Sequence, residues 1–344
     1  MEASQPLRVA VVGAGAFGSN HLRVYRELGG ATLAAAIESH PTRAEAVAAQ
    51  YNIPVFPTVE ASLHADLGLH AASVAVPTVH HHAVAAQLLE AGIDCLIEKP
   101  IASTLAEADS LIAIAQKHNR ILQVGHLERF NPAVLAIEPQ LTRPMFFEAH
   151  RLSVFTPRSL DVDVVLDLMI HDLDIVLTFA NSEVKEVRAV GLPILSPKVD
   201  IANVRVEFES GCVANFTASR VSTERVRKLR FFEPRQYVSI DYARRDILTI
   251  AVDENFSLDQ AMALGAASNF QDGLPGLSFT KPPIVPGEPL KLELASFLEA
   301  VRTRQTPHVT AQQARSALAL ALEIQQQMSR HADRAGLSTF YNLA

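Results

Sequence analysis

The feature that most constrains the fold is a glycine-rich turn between an apolar run and a helical pattern near the start of the chain. The apolar run, Leu7–Val12, predicts a buried strand, and the turn after it reads Gly13-Ala14-Gly15-Ala16-Phe17-Gly18. Such a turn lets the diphosphate of a dinucleotide approach the backbone, and the N–H groups at the helix start attract its charge. The pattern therefore predicts a dinucleotide-binding loop. Its expected cofactor contacts are Gly13, Gly15, Ala16, Phe17 and Gly18.

An acidic residue after the second predicted strand indicates which dinucleotide is bound. The strand Thr32–Ile37 is followed by Glu38, twenty residues after Gly18. A carboxylate at this place bonds the hydroxyls of the adenosine ribose and repels a 2′-phosphate, so we expect NAD to be preferred over NADP. Arg43, at the start of the next helix, is expected either to lie over the adenine or to be solvated.

Strand and helix patterns alternate as far as a sixth predicted strand, Ile121–Val124. This alternation predicts an α/β Rossmann domain, a doubly wound parallel sheet, over residues 1–124. The apolar run Ser73–Val76 ends in a loop that carries three further expected cofactor contacts, Pro77, Thr78 and His80. The adjacent histidines 80–82 point in different directions on a helix and have no partner ligand cluster. They favour a residue lining the cofactor cleft over a metal site, and no metal is expected.

The fifth predicted strand delivers charged residues to the end of the sheet. The run Ile93–Ile97 is followed directly by Glu98, Lys99 and Pro100. Ligands of open parallel sheets bind at the carboxyl ends of the strands, so we expect Lys99 to point into a cleft, with Glu98 and Lys99 also near the cofactor. An isolated Glu-Lys-Pro is more often a solvated strand end, and the surrounding pattern favours the functional interpretation.

From residue 183 onward the apolar period changes to two, which predicts a second domain of α+β type over residues 125–344 with an open, mainly antiparallel sheet of five or six strands. Before it, a helical segment over Asp161–Phe179 places Asp167 and His171 four residues apart on one face. Such a pair suits proton transfer, because a carboxylate orients an imidazole. A surface pair without chemistry is the alternative, but the apolar neighbours make it expensive.

Composition excludes several classes of protein. The net charge of −7 and the absence of a basic surface argue against nucleic acid or an anionic membrane as a partner. The two cysteines argue against a disulfide framework and favour a reducing, cytoplasmic location. No apolar run has the length of a membrane span, and the apolar start is split by glycines, unlike a signal peptide.

Four ordered stretches together resemble the glucose-fructose oxidoreductase, inositol dehydrogenase and rhizopine-catabolism (Gfo/Idh/MocA) family. They are the glycine loop with Glu38, the turn 98–100, the crossing Gly125–Pro132, and Asp167-Leu-Met-Ile-His171-Asp172. One departure is Asp163-Val164-Val165-Leu166, where the family often has glycines. The resemblance implies that Lys99, Asp167 and His171 meet at the nicotinamide. His171 would be the general base, Lys99 would hold the substrate oxygen, and Asp167 would orient His171 or relay its proton.

Within the family, the stretches around Arg129 and His171 look most like the branch that oxidises UDP-N-acetylglucosamine at its 3-hydroxyl, whose products feed 3-amino-sugar lipid A synthesis. The alternatives are an inositol or free-sugar dehydrogenase and a non-catalytic NAD-bound regulator. Two phosphates on the substrate would need local cations. The expected substrate contacts are Lys99, Arg129, Asn131, Arg151, Arg158, Asp167 and His171.

The second sheet also predicts assembly. Helices are available for only one of its faces, so the other face, which carries Val204, Val206 and Phe208 or the residues opposite them, needs cover. We therefore expect a homodimer or homotetramer built on this sheet.

Overall fold

The structure is a computed structural model that describes residues 5–156, 162–254, 256–257 and 276–337. Its strands are β1 Leu7–Val12, β2 Ala31–Ile37, β3 Val55–Phe56, β4 Ala71–Val74, β5 Asp94–Glu98, β6 Leu122–Gly125, β7 Phe146–Leu152, β8 Val184–Leu192, β9 Ile201–Phe208, β10 Val213–Ser219, β11 Val226–Glu233, β12 Gln236–Asp241, β13 Asp246–Val252 and β14 Leu277–Thr280. Its α-helices are α1 Gly18–Glu27, α2 Pro41–Tyr51, α3 Val59–His64, α4 His81–Glu90, α5 Leu105–Lys117, α6 Pro132–Ile137, α7 Ile170–Ala180, α8 Pro289–Thr303 and α9 Ala311–Arg334.

The chain divides into two compact units. The first unit comprises Met1–Phe130 and Gly287–Ala319, and the second comprises Asn131–Pro286 and Leu320–Ala344. This division differs from the predicted domains, which began the second domain at residue 125 and gave it every later residue. The reason is helix α8, whose Leu290, Leu294 and Phe297 are buried in the core of the first unit.

The first unit contains a six-stranded sheet in the order β3-β2-β1-β4-β5-β6, with every adjacent pair parallel. The order reverses between β1 and β4, which is the position at which doubly wound sheets bind nucleotides. The predicted Rossmann sheet is therefore confirmed, including β1 at its predicted bounds. Helix α5 begins with a capping box, because Thr104 Oγ1 accepts from Glu107 N–H and Glu107 Oε2 accepts from Thr104 N–H.

Strand β4 ends earlier than its apolar sequence predicts. The run was expected to stay in the sheet over Ser73–Val76, but the strand is Ala71–Val74. Ala75 N–H still donates to Val12 O at 2.8 Å, after which the chain leaves the sheet. Val76 therefore belongs to a loop wall and not to the strand, a position that sequence alone does not separate from a strand end.

The second unit contains a sheet that, within the described residues, has eight strands in the order β14-β13-β12-β11-β7-β10-β9-β8. Its pairs are antiparallel except for β7 and β10, which are parallel, so the predicted mainly antiparallel sheet is confirmed. The number of strands exceeds the prediction of five or six, and the last strand, β14, is followed by α8 of the first unit. Residues 255 and 258–275, between β13 and β14, lie outside the described residues.

The inner face of this sheet packs against helices of its own unit. Val204, Val206 and Phe208 point inward and are completely buried, in one apolar core with residues of α6, α7 and the second half of α9. The outward positions on the same strand are therefore the alternate residues, including Asn203 and Arg205, which are exposed. In the part of the chain that is described, no helix has the length and apolar character needed to cross a bilayer.

Candidate functional site

The glycine loop after β1 has the geometry of a diphosphate cradle. Gly13 has φ of +88°, and a Cβ at this position would lie 2.8 Å from Ala75 O, so a side chain is excluded on both grounds. A Cβ at Gly18 would lie 1.8 Å from Gly13 O, which forces glycine where helix α1 meets the loop. In contrast, apart from Gly15 and its chain neighbours, no described residue has an atom within 4 Å of a Cβ built at Gly15. This open backbone fits the approach of a diphosphate.

Glu38 lies at the end of β2 and is 5% exposed. Its Oε2 accepts from Ala14 N–H at 2.9 Å, and its Oε1 accepts from His40 N–H at 2.8 Å and from Arg43 Nη2 at 3.0 Å. Burial raises the pKa of Glu38, but the bonds from Arg43, His40 and Ala14 outweigh it, so the pKa lies below its ordinary value. Glu38 is therefore a buried carboxylate that stays ionised at neutral pH.

A cleft of about 580 Å³ joins the glycine loop to Glu38. It contains six of the predicted cofactor residues, namely Gly13, Gly15, Glu38, Arg43, Pro77 and His80. Its lining also includes residues that sequence reasoning missed, among them Thr58, Glu60, Val84 and Gln87. The lining does not include Ala16, Phe17, Gly18, Thr78, Glu98 or Lys99. An open cradle, a cleft of this size and an ionised carboxylate at its end together fit a bound NAD.

The turn after β5 is held in the sheet by its glutamate. Glu98 Oε1 lies 3.0 Å from His21 Nε2, and this histidine of α1 is completely buried. A Cβ at Gly125, beside Glu98 on strand β6, would lie 2.7 Å from the same Oε1, so a side chain there would displace the Glu98 carboxylate from its present position. Lys99 follows at the carboxyl edge of the sheet, is half-buried, and joins Pro100 through a cis peptide bond.

A second buried carboxyl in the first unit was not recognised from sequence. Glu293, on helix α8, is completely buried, and neither of its carboxyl oxygens has a hydrogen-bond partner among the described residues. Burial, followed by the negative charge of Glu98, raises the pKa of Glu293 well above its ordinary value. The signal was available, because Glu293 falls on the apolar face defined by Leu290, Leu294 and Phe297.

The three adjacent histidines have three different environments. His80 is exposed and lines the cleft, His81 is 1% exposed, and His82 Nε2 lies 3.0 Å from Ser110 Oγ. Across the described ranges, no group of three or more His, Cys, Asp and Glu side chains is arranged to hold a metal ion.

In the second unit, the predicted acid-base pair lies at a junction between two kinds of helix. Asp167 belongs to a π-helical turn, Val165–Met169, and His171 to the first turn of α7. Single π-helical turns occur frequently at functional sites. Asp163, which replaces a glycine of the family pattern, caps this segment, since its Oδ1 accepts from Val165 N–H at 2.8 Å and from Leu166 N–H at 3.1 Å. Asp167 and His171 are both half-buried.

Two of the predicted substrate contacts, Arg151 and Asn131, are bonded to other residues of the second unit. Arg151 is 2% exposed and forms a bidentate ion pair with Asp172, at 2.7 Å from Nε and 2.9 Å from Nη2, with its guanidinium over the ring of Tyr242. Asn131 caps α6 by accepting from Ala133 N–H, and it donates to Tyr242 O. The structure therefore places Arg151 and Asn131 inside the second unit, bonded to other residues of that unit.

Two further predicted substrate contacts are the arginines Arg129 and Arg158. Arg129 is 2% exposed, in the turn Leu127–Phe130 that ends the first stretch of the first unit. Arg158 lies outside the described residues.

Comparison with known proteins gives matches along most of the chain. Residues 7–126 match a family model described as an oxidoreductase family with an NAD-binding Rossmann fold, and residues 134–235 match the model of the GFO/IDH/MocA C-terminal domain. The UDP-N-acetylglucosamine 3-dehydrogenase of Acidithiobacillus ferrooxidans is 34% identical over 319 residues, which covers 92% of this chain and 96% of that protein.

Two further matches are a solved structure aligned over most of the chain and a relative aligned over about half of it. A solved structure of the UDP-N-acetylglucosamine 3-dehydrogenase from Acidithiobacillus ferrooxidans aligns with a TM-score of 0.83 and 33% identity, covering 93% of this chain and 97% of that one. The inositol 2-dehydrogenase of Acidothermus cellulolyticus is 30% identical over 199 residues, which covers 55% of this chain and 58% of that protein.

Proposed function

Because the chain belongs to the Gfo/Idh/MocA family of NAD-binding oxidoreductases, we propose that it oxidises the 3-hydroxyl of UDP-N-acetylglucosamine to a 3-keto sugar. The observation that carries the proposal is the 34% identity to a UDP-N-acetylglucosamine 3-dehydrogenase over 96% of that protein. The product would be a precursor for a 3-amino sugar of lipid A. NAD, when bound, supplies the acceptor for the hydride.

The residues of this chain would supply the proton chemistry. His171 accepts the hydroxyl proton as the carbon–hydrogen bond breaks, and Asp167 orients its imidazole. Lys99 donates a hydrogen bond to the same oxygen and stabilises its developing negative charge. The position of Lys99 after β5, at the carboxyl edge of the parallel sheet, supports its part in this assignment.

Variants of these residues test the assignment. Lys99→Ala and His171→Ala are each expected to lower kcat by roughly a hundredfold to ten-thousandfold, the usual size of a lost acid-base group. The dissociation constant for NAD should change little, which fluorescence titration measures. His82→Asn serves as the control, since that histidine bonds Ser110 away from the proposed chemistry. Turnover near the native rate in either variant would refute the role given to that residue.

Substrate identity is tested with a panel of UDP-sugars and polyols, following the absorbance of the reduced nicotinamide. The proposal expects UDP-N-acetylglucosamine to be oxidised fastest, UDP to inhibit competitively, and free N-acetylglucosamine to be a poor substrate because remote binding energy is missing. Arg158→Ala should raise KM more than it lowers kcat if Arg158 contacts the diphosphate.

A second candidate function is oxidation of an inositol or a free sugar. The shorter match to an inositol 2-dehydrogenase favours it. Oxidation of a free polyol as fast as the UDP-sugar, with no inhibition by UDP, would establish this function instead. A regulator without catalysis would bind NAD and turn over none of the panel.

We also propose that the outer face of the second sheet joins copies of the chain into a homodimer or homotetramer. This face carries the aromatic residues Phe146, Phe232 and Tyr237. The ring centroids of Phe146 and Phe232 lie 5.6 Å apart, and those of Phe232 and Tyr237 lie 5.1 Å apart. Phe232 is 37% exposed, an unusual position for a large apolar side chain unless a partner covers it. Light scattering of the native protein and of Phe232→Glu tests the proposal, and a native monomer at micromolar concentration would refute it.

A further inference from the structure

His81 is a buried histidine that the proposed chemistry does not use. It is the first residue of helix α4 and is 1% exposed. Ala85 and Leu88, one and two turns further along the helix, are completely buried on the same face. The imidazole therefore points into the first unit, whereas its neighbour His80 lines the cleft.

Each ring nitrogen of His81 faces a backbone carbonyl. Nδ1 lies 2.8 Å from Pro100 O, and Nε2 lies 2.9 Å from Val76 O. Pro100 follows Lys99 directly, and Val76 belongs to the wall of the cofactor cleft. One ring thus bridges the backbone that carries Lys99 and the backbone that borders the cofactor.

The number of protons on the ring limits what this bridge can do. A neutral imidazole has one N–H and can donate to only one of two carbonyls, whereas an imidazolium donates to both. Burial lowers the pKa of His81, and the positive form of His80 acts in the same direction, while the bonds to Pro100 and Val76 and the charge of Glu98 act against them. The net pKa lies below its ordinary value.

We propose that His81 is a positioning residue that fixes the Lys99 turn against the wall of the cofactor cleft, through the contacts of its two ring nitrogens with Pro100 O and Val76 O. The inference rests on the proposed dehydrogenase function, because it assigns His81 to the placement of Lys99 and of the cofactor. The contact at Nδ1 holds the turn that carries Lys99, and the contact at Nε2 holds the wall of the cofactor cleft.

Two amide variants separate the two sides. The amide nitrogen of Asn occupies approximately the place of Nδ1, and that of Gln approximately the place of Nε2. His81→Asn keeps a donor for Pro100, so we expect kcat to stay near native while the dissociation constant for NAD rises about tenfold, the effect of one lost buried hydrogen bond. His81→Gln keeps a donor for Val76, so we expect NAD binding near native and kcat lowered about tenfold.

The controls separate positioning from a loss of folding. His82→Asn changes the next residue of the same helix, whose ring bonds Ser110, and should alter neither parameter. Thermal unfolding of every variant identifies any that is simply unstable. If one of the two amide variants is unstable, the other is compared with the native protein instead. If His81→Asn and His81→Gln lower the same parameter by the same factor, or if both match His82→Asn, the proposal is overturned.

Nitrogen-15 spectra of histidine-labelled protein give a readout that does not depend on turnover. The signals that vanish in His81→Asn identify His81, and we expect its ring proton to exchange slowly with solvent, because it is buried and bonded to a carbonyl oxygen. A ring proton of His81 that exchanges as fast as that of the exposed His80 would overturn the bridge. If the native protein oxidises none of the sugars, the proposed function fails, and NAD binding by the two amide variants still decides the role of His81 at the cleft.

Discussion

Two buried carboxyl groups of the first unit have opposite electrostatics. Glu38, at the cofactor cleft, is 5% exposed and accepts from two backbone N–H groups and from Arg43. Glu293, in the interior, is 0% exposed and accepts from no described residue. The pKa of Glu38 is lowered and that of Glu293 is raised. Burial alone therefore does not decide the charge of a carboxyl, because the donors around it do.

The two groups also make opposite contributions to stability as pH changes. The lowered pKa of Glu38 contributes stability that is present above the unfolded value of 4.5 and is lost as pH falls through the folded pKa. The raised pKa of Glu293 contributes stability that is present below 4.5 and is lost as pH rises through the folded pKa. The comparison can be tested by removing either group or its donors.

The largest effect is expected from Glu38→Ala. The variant loses the acceptor for the ribose hydroxyls and the repulsion of a 2′-phosphate, and it releases Arg43 to approach that phosphate. We expect the ratio of kcat/KM for NAD over NADP to fall by about tenfold to a hundredfold. Steady-state kinetics with both cofactors measure it, with Glu45→Ala, an exposed residue of helix α2, as the control. An unchanged ratio would show that Glu38 does not select the cofactor.

An intermediate effect is expected from Glu293→Gln, which keeps the shape of the side chain and removes its ionisation. Between the unfolded and folded pKa, one bound proton changes the free energy of unfolding by about 1.4 kcal/mol per pH unit. The variant should therefore gain stability over the native protein as pH rises above 4.5. Chemical denaturation across pH measures the difference between the two proteins.

The control for that experiment is Glu299→Gln, on the solvent-facing side of the same helix, where the side chain is 62% exposed. It should leave the pH dependence as it is. A native protein and Glu293→Gln with parallel pH curves would mean that Glu293 is not held protonated.

The smallest effect is expected from Arg43→Ala. The guanidinium is 52% exposed, and exposed ion pairs contribute at most about 1 kcal/mol. Glu38 keeps its two backbone donors, so its pKa should rise only part of the way to its ordinary value. The dissociation constant for NAD should change by less than about fivefold. A loss of a hundredfold would instead indicate that Arg43 contacts the adenine directly.

The comparison also shows where sequence reasoning succeeds. Glu38 was predicted because its spacing from the glycine loop has a fixed meaning in a strand-loop-helix unit. Gly13 and Gly18 were predicted for the same reason, and the close approaches at both positions agree with it. Local patterns are sufficient when the groups that act together lie within one such unit.

Sequence reasoning fails where the chain returns from a distance. Glu293 is separated from Glu98 by nearly the whole second unit, so nothing local indicates that the two carboxyls influence each other. Arg151 was expected to contact the substrate, and its ion pair with Asp172 was missed because Asp172 lies on another element. His81 was grouped with its neighbours, although the spacing to Ala85 and Leu88 marks it as buried. Each miss concerns a contact made by tertiary packing.

The return of helix α8 to the first unit has a consequence for how the protein is made. Helix α8 contacts α1, and its Leu290, Leu294 and Phe297 complete the core that begins at Val9. The ribosome therefore synthesises the strands of the first sheet and helix α1 long before the residues of helix α8 that cover α1. We infer that the N-terminal half, although synthesised first, becomes stable only after α8 has been made, and that a fragment ending at residue 124 would expose an apolar face and aggregate.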